Sequence, residues 1–261
     1  MKRILSVICC GFLLLAAFGC ARNNFTIPRD EYEKKVRVLG VVPLFVDADS
    51  DIRYPEKEVL VALVRDANRK NEQELPALVK EGGNYFAVRL LEGDPDELFA
   101  RLMLRRERKE VAKSAFNQYA YKGPELREFI VGNNVDAVML VVVNGLTRKE
   151  KVYASNYLSY LEADYAMLDM AAQVVDREGN ILWEYPRIKN DTVSLKPLLS
   201  LQYPDFGEAQ ANASDEVDVK YKTIPGITRI LGKTKNSPVI EKFAVSVVYE
   251  EVFNDMVMRM R

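Results

Sequence analysis

Asp47, Asp49, Asp51 and Glu58 stand at offsets one, three, five and twelve of a calcium-loop spacing, where oxygen ligands wrap a hard cation. Two neighbours argue against that chemistry. Ile52 fills the place where such a loop needs glycine for its sharp turn, and Pro55 starts a helix inside the would-be loop. The spacing instead predicts a polar strand–helix connection whose acids favour the positive end of the next helix. A second charged group is Arg101, Arg105 and Arg108, on one face if the stretch after Asp94 is helical, with Arg106, Lys109 and Lys113 nearby. That face suits anionic headgroups or an acidic partner; equally, it is a solvated surface balanced by Glu107 and Glu110. What is missing narrows the chemistry further. The 261 residues include no histidine, and the three cysteines (Cys9, Cys10 and Cys20) all fall in the first twenty positions. Ser-His-Asp triads, Cys-His pairs and His- or Cys-ligated zinc are therefore excluded from the remainder. Carboxylate, lysine or tyrosine chemistry stays open but has no motif here. The expectation is a protein that is not an enzyme, with no catalytic, cofactor or metal site.

The remaining cysteine has a context of its own. Lys2 and Arg3 precede an apolar stretch, Ile4–Phe18, of about 15 residues, the size of a secretory signal core. A membrane-spanning helix needs about 20. Leu13–Cys20, L-L-L-A-A-F-G-C, resembles the lipobox of bacterial lipoproteins: an apolar run, small residues, then the cysteine at the cut. The resemblance implies that residues 1–19 are a removed signal peptide and that Cys20 becomes the lipidated first residue. The alternative is an ordinary cleaved signal with an incidental Cys20. Two acyl chains suffice for stable anchoring at about 0.8 kcal/mol per buried CH₂, and a lipoprotein's diacylglyceryl and amide-linked chains exceed that. Ala21-Arg22 lacks the aspartate of enteric-type inner-membrane retention, which favours an outer-membrane protein facing the periplasm.

Removing residues 1–19 leaves 242 of 261 residues, enough for one large domain. The formal charge moves from −1 to −3 as Lys2 and Arg3 leave, 35 basic against 38 acidic residues. Without a basic excess, nucleic acid is not an expected partner.

The elements expected to build the domain come in the order of an α/β or α+β fold. Residues 20–35 are polar and read as a tether, with the domain over 36–261. Val36–Phe45 predicts a buried strand ending near Pro43, and Tyr85–Leu91 a second. Between them, Val59, Leu60, Leu63, Val64 and Ala67 follow helical spacing, and Glu74–Lys80 makes a further helical piece stopped by Gly82-Gly83. Asp94-Pro95-Asp96-Glu97 is a capped helix start, and the helix is expected to continue through the charged run to Phe116. Val135–Val143 is the longest apolar run beyond the signal and predicts a central strand covered on both faces. Ala163–Asp176 alternates as a long strand, and Gly179 turns it into Ile181–Tyr185 as a hairpin. Tyr153, Tyr157 and Tyr160 fit more than one structure. Residues 187–238 have weak periodicity and read as an insertion, with an edge strand near Val219, that chooses partners through Tyr203, Pro204, Phe206, Ile224, Pro225 and Ile227; the alternative is that it folds back to cover the sheet. Val239–Met260 predicts a terminal helix.

Three of these pieces resemble the periplasmic α/β lipoprotein group that includes the curli secretion lipoprotein and the penicillin-binding-protein activator lipoproteins. Val36–Phe45 is similar to that group's opening V-x-V-L-P-F strand, although Leu39-Gly40-Val41 interrupts the pattern. Asn134–Val138 resembles its G-A-D-Y-V lead into the middle strand. Ala172–Trp183 resembles its V-V-D-x-x-T-G-x-I-L-W hairpin, with Asn180 following Gly179. The resemblance implies a non-catalytic lipoprotein serving a larger envelope machine and transfers no active-site residue. The leading expectation is a lipid-anchored scaffold held to the membrane through Cys20, with an envelope partner or further copies of itself. The alternatives are a secretion-channel subunit and a histidine-free enzyme.

Overall fold

Uninterrupted apolar runs belong in strands buried on both faces, and the longest one opens β6 (Ala137–Tyr153) at the centre of the sheet. A computed structural model describes residues 24–111, 114–187, 196–213 and 216–261. Its main sheet runs β3 (Ala87–Leu90), β1 (Val38–Val41), β6, β7 (Tyr160–Asp176), β8 (Ile181–Tyr185). Two short strands extend it along the same neighbours: β2 (Phe45–Asp47) pairs β6 beyond β1, and β9 (Leu199–Ser200) pairs β7 beyond β8. β1 is parallel to β3 and β6, and β2 to β6, whereas β7, β8 and β9 are antiparallel to their neighbours. The sheet is mixed, in a mixed α/β fold. The three pieces in which a resemblance is read fall on β1 with the first residue of β2, the start of β6 and the β7–β8 hairpin. Gly179 takes φ +83° in that hairpin, as its turn requires.

Helices cover both faces. On one face lie α2 (Lys57–Asn71), α3 (Glu74–Gly82), α7 (Ile224–Leu231) and α8 (Val247–Met258), which bury Leu60, Leu75, Ile227 and Phe253 against Val141, Leu168 and Val174. The other face takes α4 (Pro95–Leu102) and α5 (Gly123–Gly132), with Leu102, Leu126 and Ile130 over Val138, Leu140 and Ala171. Asp94 caps α4 as its sequence predicts, accepting from the Asp96 and Glu97 amides at 3.0 Å. The remaining elements are α6 (Phe206–Ala211), a small β10–β11 pair (Gln202–Pro204, Val219–Tyr221) and β12–β13 (Thr234–Asn236, Ala244–Ser246).

Four expectations need correction. The described part of the tether is built into the domain: Phe25 bridges to Trp183, and α1 (Arg29–Lys35) buries Tyr32 against Phe25 and Tyr85. Two aromatic side chains in a polar stretch carry no periodicity, yet each finds core. The helix from Asp94 ends at Leu102; the charged run that follows is β4 (Met103–Val111), paired with β5 (Ser114–Tyr121). Arg105 and Arg108 therefore sit on a strand, not on the helix of Arg101. Residues 187–238 are not a peripheral insertion in their described parts, because Leu198, Leu199, Leu201, Ile227 and Leu231 belong to the main core. The terminal helix starts only at Val247, since Ala244–Ser246 pairs with β12. Cys20 and residues 188–195 lie outside the described residues.

Candidate functional site

β6 and β7 pair over their full 17 residues, from Ala137↔Asp176 to Tyr153↔Tyr160, and so outrun the sheet. Their outer partners stop early. β2 leaves β6 at Asn144, and β9 leaves β7 at Met167. Among the described residues no third strand pairs with Arg148–Tyr153 or Tyr160–Tyr165, which together form a two-stranded ribbon projecting past the sheet. Neither face of that ribbon is apolar. Arg148, Lys149, Glu150 and Lys151 follow one another on β6, and Glu162 and Asp164 stand on β7. The strand charges differ in sign: three basic against one acidic residue on β6 is +2, and two acids on β7 is −2. The tip is aromatic. Tyr157 and Leu158 are 80% and 86% exposed, and Tyr153 and Tyr160 flank them with ring centroids 5.6 Å apart. The Lys151 ammonium lies 3.5 Å from the Tyr160 ring centre, a cation–π contact. Tyr157 holds φ +59°, an uncommon state for a bulky residue. The Leu158 amide donates to Asn156 Oδ1 at 2.9 Å inside the same turn.

The ribbon is rooted in a polar layer where the second sheet face changes from apolar to hydrophilic. Asn144 and Asp169 are cross-strand partners there, and the β4–β5 hairpin closes over them. Asn117 donates to Asn144 Oδ1 at 2.7 Å. Asn144 in turn donates to the Val142 carbonyl at 3.2 Å. Arg148 reaches back along β6 until its Nη1 is 3.0 Å from Asp169 Oδ2, a charge contact between two buried groups. Burial pushes the Asp169 carboxyl up to about 6; Arg148 opposes that shift and Glu150 adds to it. Beside this root, a groove of about 390 Å³ runs between the ribbon and the 196–200 segment, lined partly by Val152, Tyr165, Met167 and Pro197.

Two acids of the calcium-like spacing, Asp47 and Asp51, are spent beside this root. Asp47 is buried and turns its carboxylate to Arg106 Nη1 at 2.6 Å and to the Tyr119 hydroxyl at 3.0 Å. Burial and the Asp47 charge hold the Tyr119 phenol well above its usual range. Asp51 accepts from Arg53 at 2.8 Å and from Thr147 Oγ1 at 3.0 Å, and Glu58 stands in the first turn of α2. Among the described residues no group of three acids converges. The arginines also have carboxylate neighbours: Arg101 with Glu128, Arg105 with Glu107, Arg108 with Glu110. Sequence reasoning missed both the ribbon and the β4–β5 hairpin. The one signal for the hairpin is the alternation of Ala115, Asn117 and Tyr119, which proves to be its buried side.

Asp47→Ala is expected to lower stability by about 2 kcal/mol, since the buried Tyr119 hydroxyl loses its acceptor. Arg106 is 32% exposed and keeps its water, so its part of the loss is small. Urea unfolding should show this midpoint shift, with a smaller one for Asp51→Ala.

No protein-family model matches the chain, and no curated protein sequence matches it. Among solved structures it is similar to a PelC dodecamer from Paraburkholderia phytofirmans at 10% identity and a TM-score of 0.28, over 62% of this chain and 72% of that one. The L103M variant of the same dodecamer matches at 11% identity and 0.26, over 57% and 68%. Overlap this low says nothing of what the present chain binds.

Proposed function

We propose that this protein is a lipid-anchored, non-catalytic scaffold of the bacterial cell envelope that associates with further copies of itself through the β6–β7 ribbon. The observation that carries the reading is the ribbon's pair of edges, which no other strand covers among the described residues, with β6 net positive and β7 net negative. A two-stranded ribbon alone is marginal in water, and open edges invite strand addition. Opposite charge on the two strands favours the β7 edge of one copy against the β6 edge of the next. Such a head-to-tail contact builds rings or filaments rather than a closed pair. The anchor is Cys20, by its lipobox-like setting, and the outer membrane facing the periplasm is the expected location.

Each strand gives the ribbon six residues, short of the about 9–11 that a transmembrane strand needs. A barrel wall also needs one apolar side on each strand. Lys149 and Lys151 alternate with Arg148 and Glu150, so both sides of β6 are charged, which disfavours the membrane-pore alternative. Asp47 and Asp51 pair with Arg106 and Arg53, so these two acids are engaged in ion pairs rather than offered to a substrate.

The test is to replace Lys149–Asp164 by a two-residue Asn-Gly turn, keeping the buried Arg148 and Tyr165, and weigh the detergent-extracted protein by light scattering. The wild type should be a salt-sensitive oligomer, and the shortened variant a monomer with nearly unchanged melting. Equal masses for the two would overturn the reading.

A further inference from the structure

Resting on the lipid anchor proposed at Cys20, the geometry points to one face of the domain as the surface that lies on the bilayer: the β8 edge with the last turn of α8. We propose that Met258 on this face touches lipid while the ribbon stays in water.

Asn24 is fixed within the fold. It is buried, its amide donates to the Arg259 carbonyl at 3.3 Å, and its own carbonyl accepts from the Glu184 amide at 3.2 Å. Arg187 also donates to the Phe25 carbonyl, and Trp183 Nε1 donates to Arg259 O at 3.1 Å. Four Cα–Cα steps separate Cys20 from Asn24, so fully extended backbone reaches at most about 14 Å. An acylated Cys20 therefore holds this edge of the sheet close to the headgroups.

The other orientations meet obstacles. Glu184 lies level with Gln173 on β7, and the ribbon tip begins at Tyr160, thirteen residues away or about 43 Å of strand. A bilayer across the ribbon end of the strands would have to admit about 30 Å of the molecule, the whole ribbon included, which is the difference between that length and the tether's reach. The ribbon carries charge on both faces and two edges that no other strand covers among the described residues, neither of which hydrocarbon tolerates. A bilayer across the opposite end conflicts with chain direction. The Phe25–Trp183 bridge is antiparallel, so the chain traced back from Phe25 through Asn24 heads toward the ribbon end, away from the base of the sheet. The side of the sheet at β8 remains. There the last turn of α8, whose Arg259 carbonyl holds Asn24, presents Met258 at 69% exposure, an apolar side chain of the kind that settles at the headgroup boundary.

Cysteine labelling tests this directly, because the chain after Cys20 has no other thiol. The full lipidated protein, made with its own leader, would carry Met258→Cys, Phe86→Cys or Tyr157→Cys with an environment-sensitive fluorophore. Phe86, 75% exposed just before β3, reports the opposite end of the strands. In vesicles of phosphatidylethanolamine and phosphatidylglycerol, nitroxide-bearing lipid should quench the Met258 label, while the other two respond only to a water-soluble quencher. A long Gly/Ser segment inserted between Asn23 and Asn24 should return the Met258 label to water. Lipid quenching at Phe86 or Tyr157, with Met258 in water, overturns the orientation alone. Mass spectrometry of the same samples separates the deeper failure: an unacylated Cys20 removes the lipoprotein reading, and the orientation with it.

Discussion

Gly145→Ala is expected to lower the melting temperature by roughly 6–12 °C, from a loss of about 3 kcal/mol in a domain of this size. Gly145 is the β6 residue at which the ribbon leaves the sheet. A Cβ placed there would stand 2.5 Å from Ile52 Cα and 2.6 Å from the Asp51 carbonyl carbon, with the Ile52 nitrogen closer still. All three atoms are backbone, so no side chain can turn aside to make room. The same loop is tied to β6 by the Gly145 amide donating to Ser50 Oγ at 2.7 Å and by Ser50 Oγ donating to the Asp47 carbonyl at 2.5 Å. A methyl group at 145 therefore pushes on the segment that holds Asp47 against Arg106 and Tyr119. Gly179→Ala is the comparison. It has a positive φ but open space around it, and should cost about 1 kcal/mol. Thermal melts of the two variants check the order; a larger loss at Gly179 would mean the 50–52 loop moves freely from β6.

How much of this was legible in the sequence depends on what each stretch buries. Val135–Val143 announced a central strand because both of its faces are apolar, and Asp176–Asn180 announced a hairpin because Gly179 is needed for its turn. The α4 cap could be read from four residues. The run Arg105–Glu110 could not. Arginine, lysine and glutamate are good helix formers, and a strand exposed along most of its length shows no apolar alternation to contradict them. The ribbon failed for the same reason: beyond Leu146 the buried pattern of β6 ends while its pairing with β7 continues. Phe25 and Tyr32 were hidden because a lone aromatic has no period. The root of the ribbon was beyond sequence reasoning in another way. Asp47 meets Arg106 and Tyr119 across 59 and 72 positions, and only the folded hairpin brings them together. Its acids matched a calcium spacing by sequence offset, and Arg106, the cation that holds Asp47, lies in an element that sequence reasoning made a helix.

Asp169→Asn is expected to remove a loss of stability that the wild type suffers as pH rises toward neutrality. Asp169 is 7% exposed at the ribbon root. Burial, the largest influence, pushes its carboxyl from 3.8 up to about 6, only partly offset by Arg148. The folded state thus binds this proton more tightly than the unfolded chain does. The stabilisation is fully present below the unfolded value near 3.8, falls as pH rises toward about 6, and is gone above it. A shift of about two units corresponds to about 3 kcal/mol, or roughly 6–12 °C of melting temperature. Asp176 works in the opposite sense: although its burial favours the neutral acid, Lys35 at 2.5 Å and Asn180 hold its carboxyl below the usual range. Its contribution is present above the unfolded value and is lost only as pH falls through the lower folded one. The raw pH profile mixes the two, so the informative quantity is the wild-type melting temperature minus that of Asp169→Asn. That difference should fall between pH 4 and pH 7 and then level off. A constant difference would mean that Asp169 keeps its charge throughout and that the Arg148 contact, not burial, governs the ribbon root.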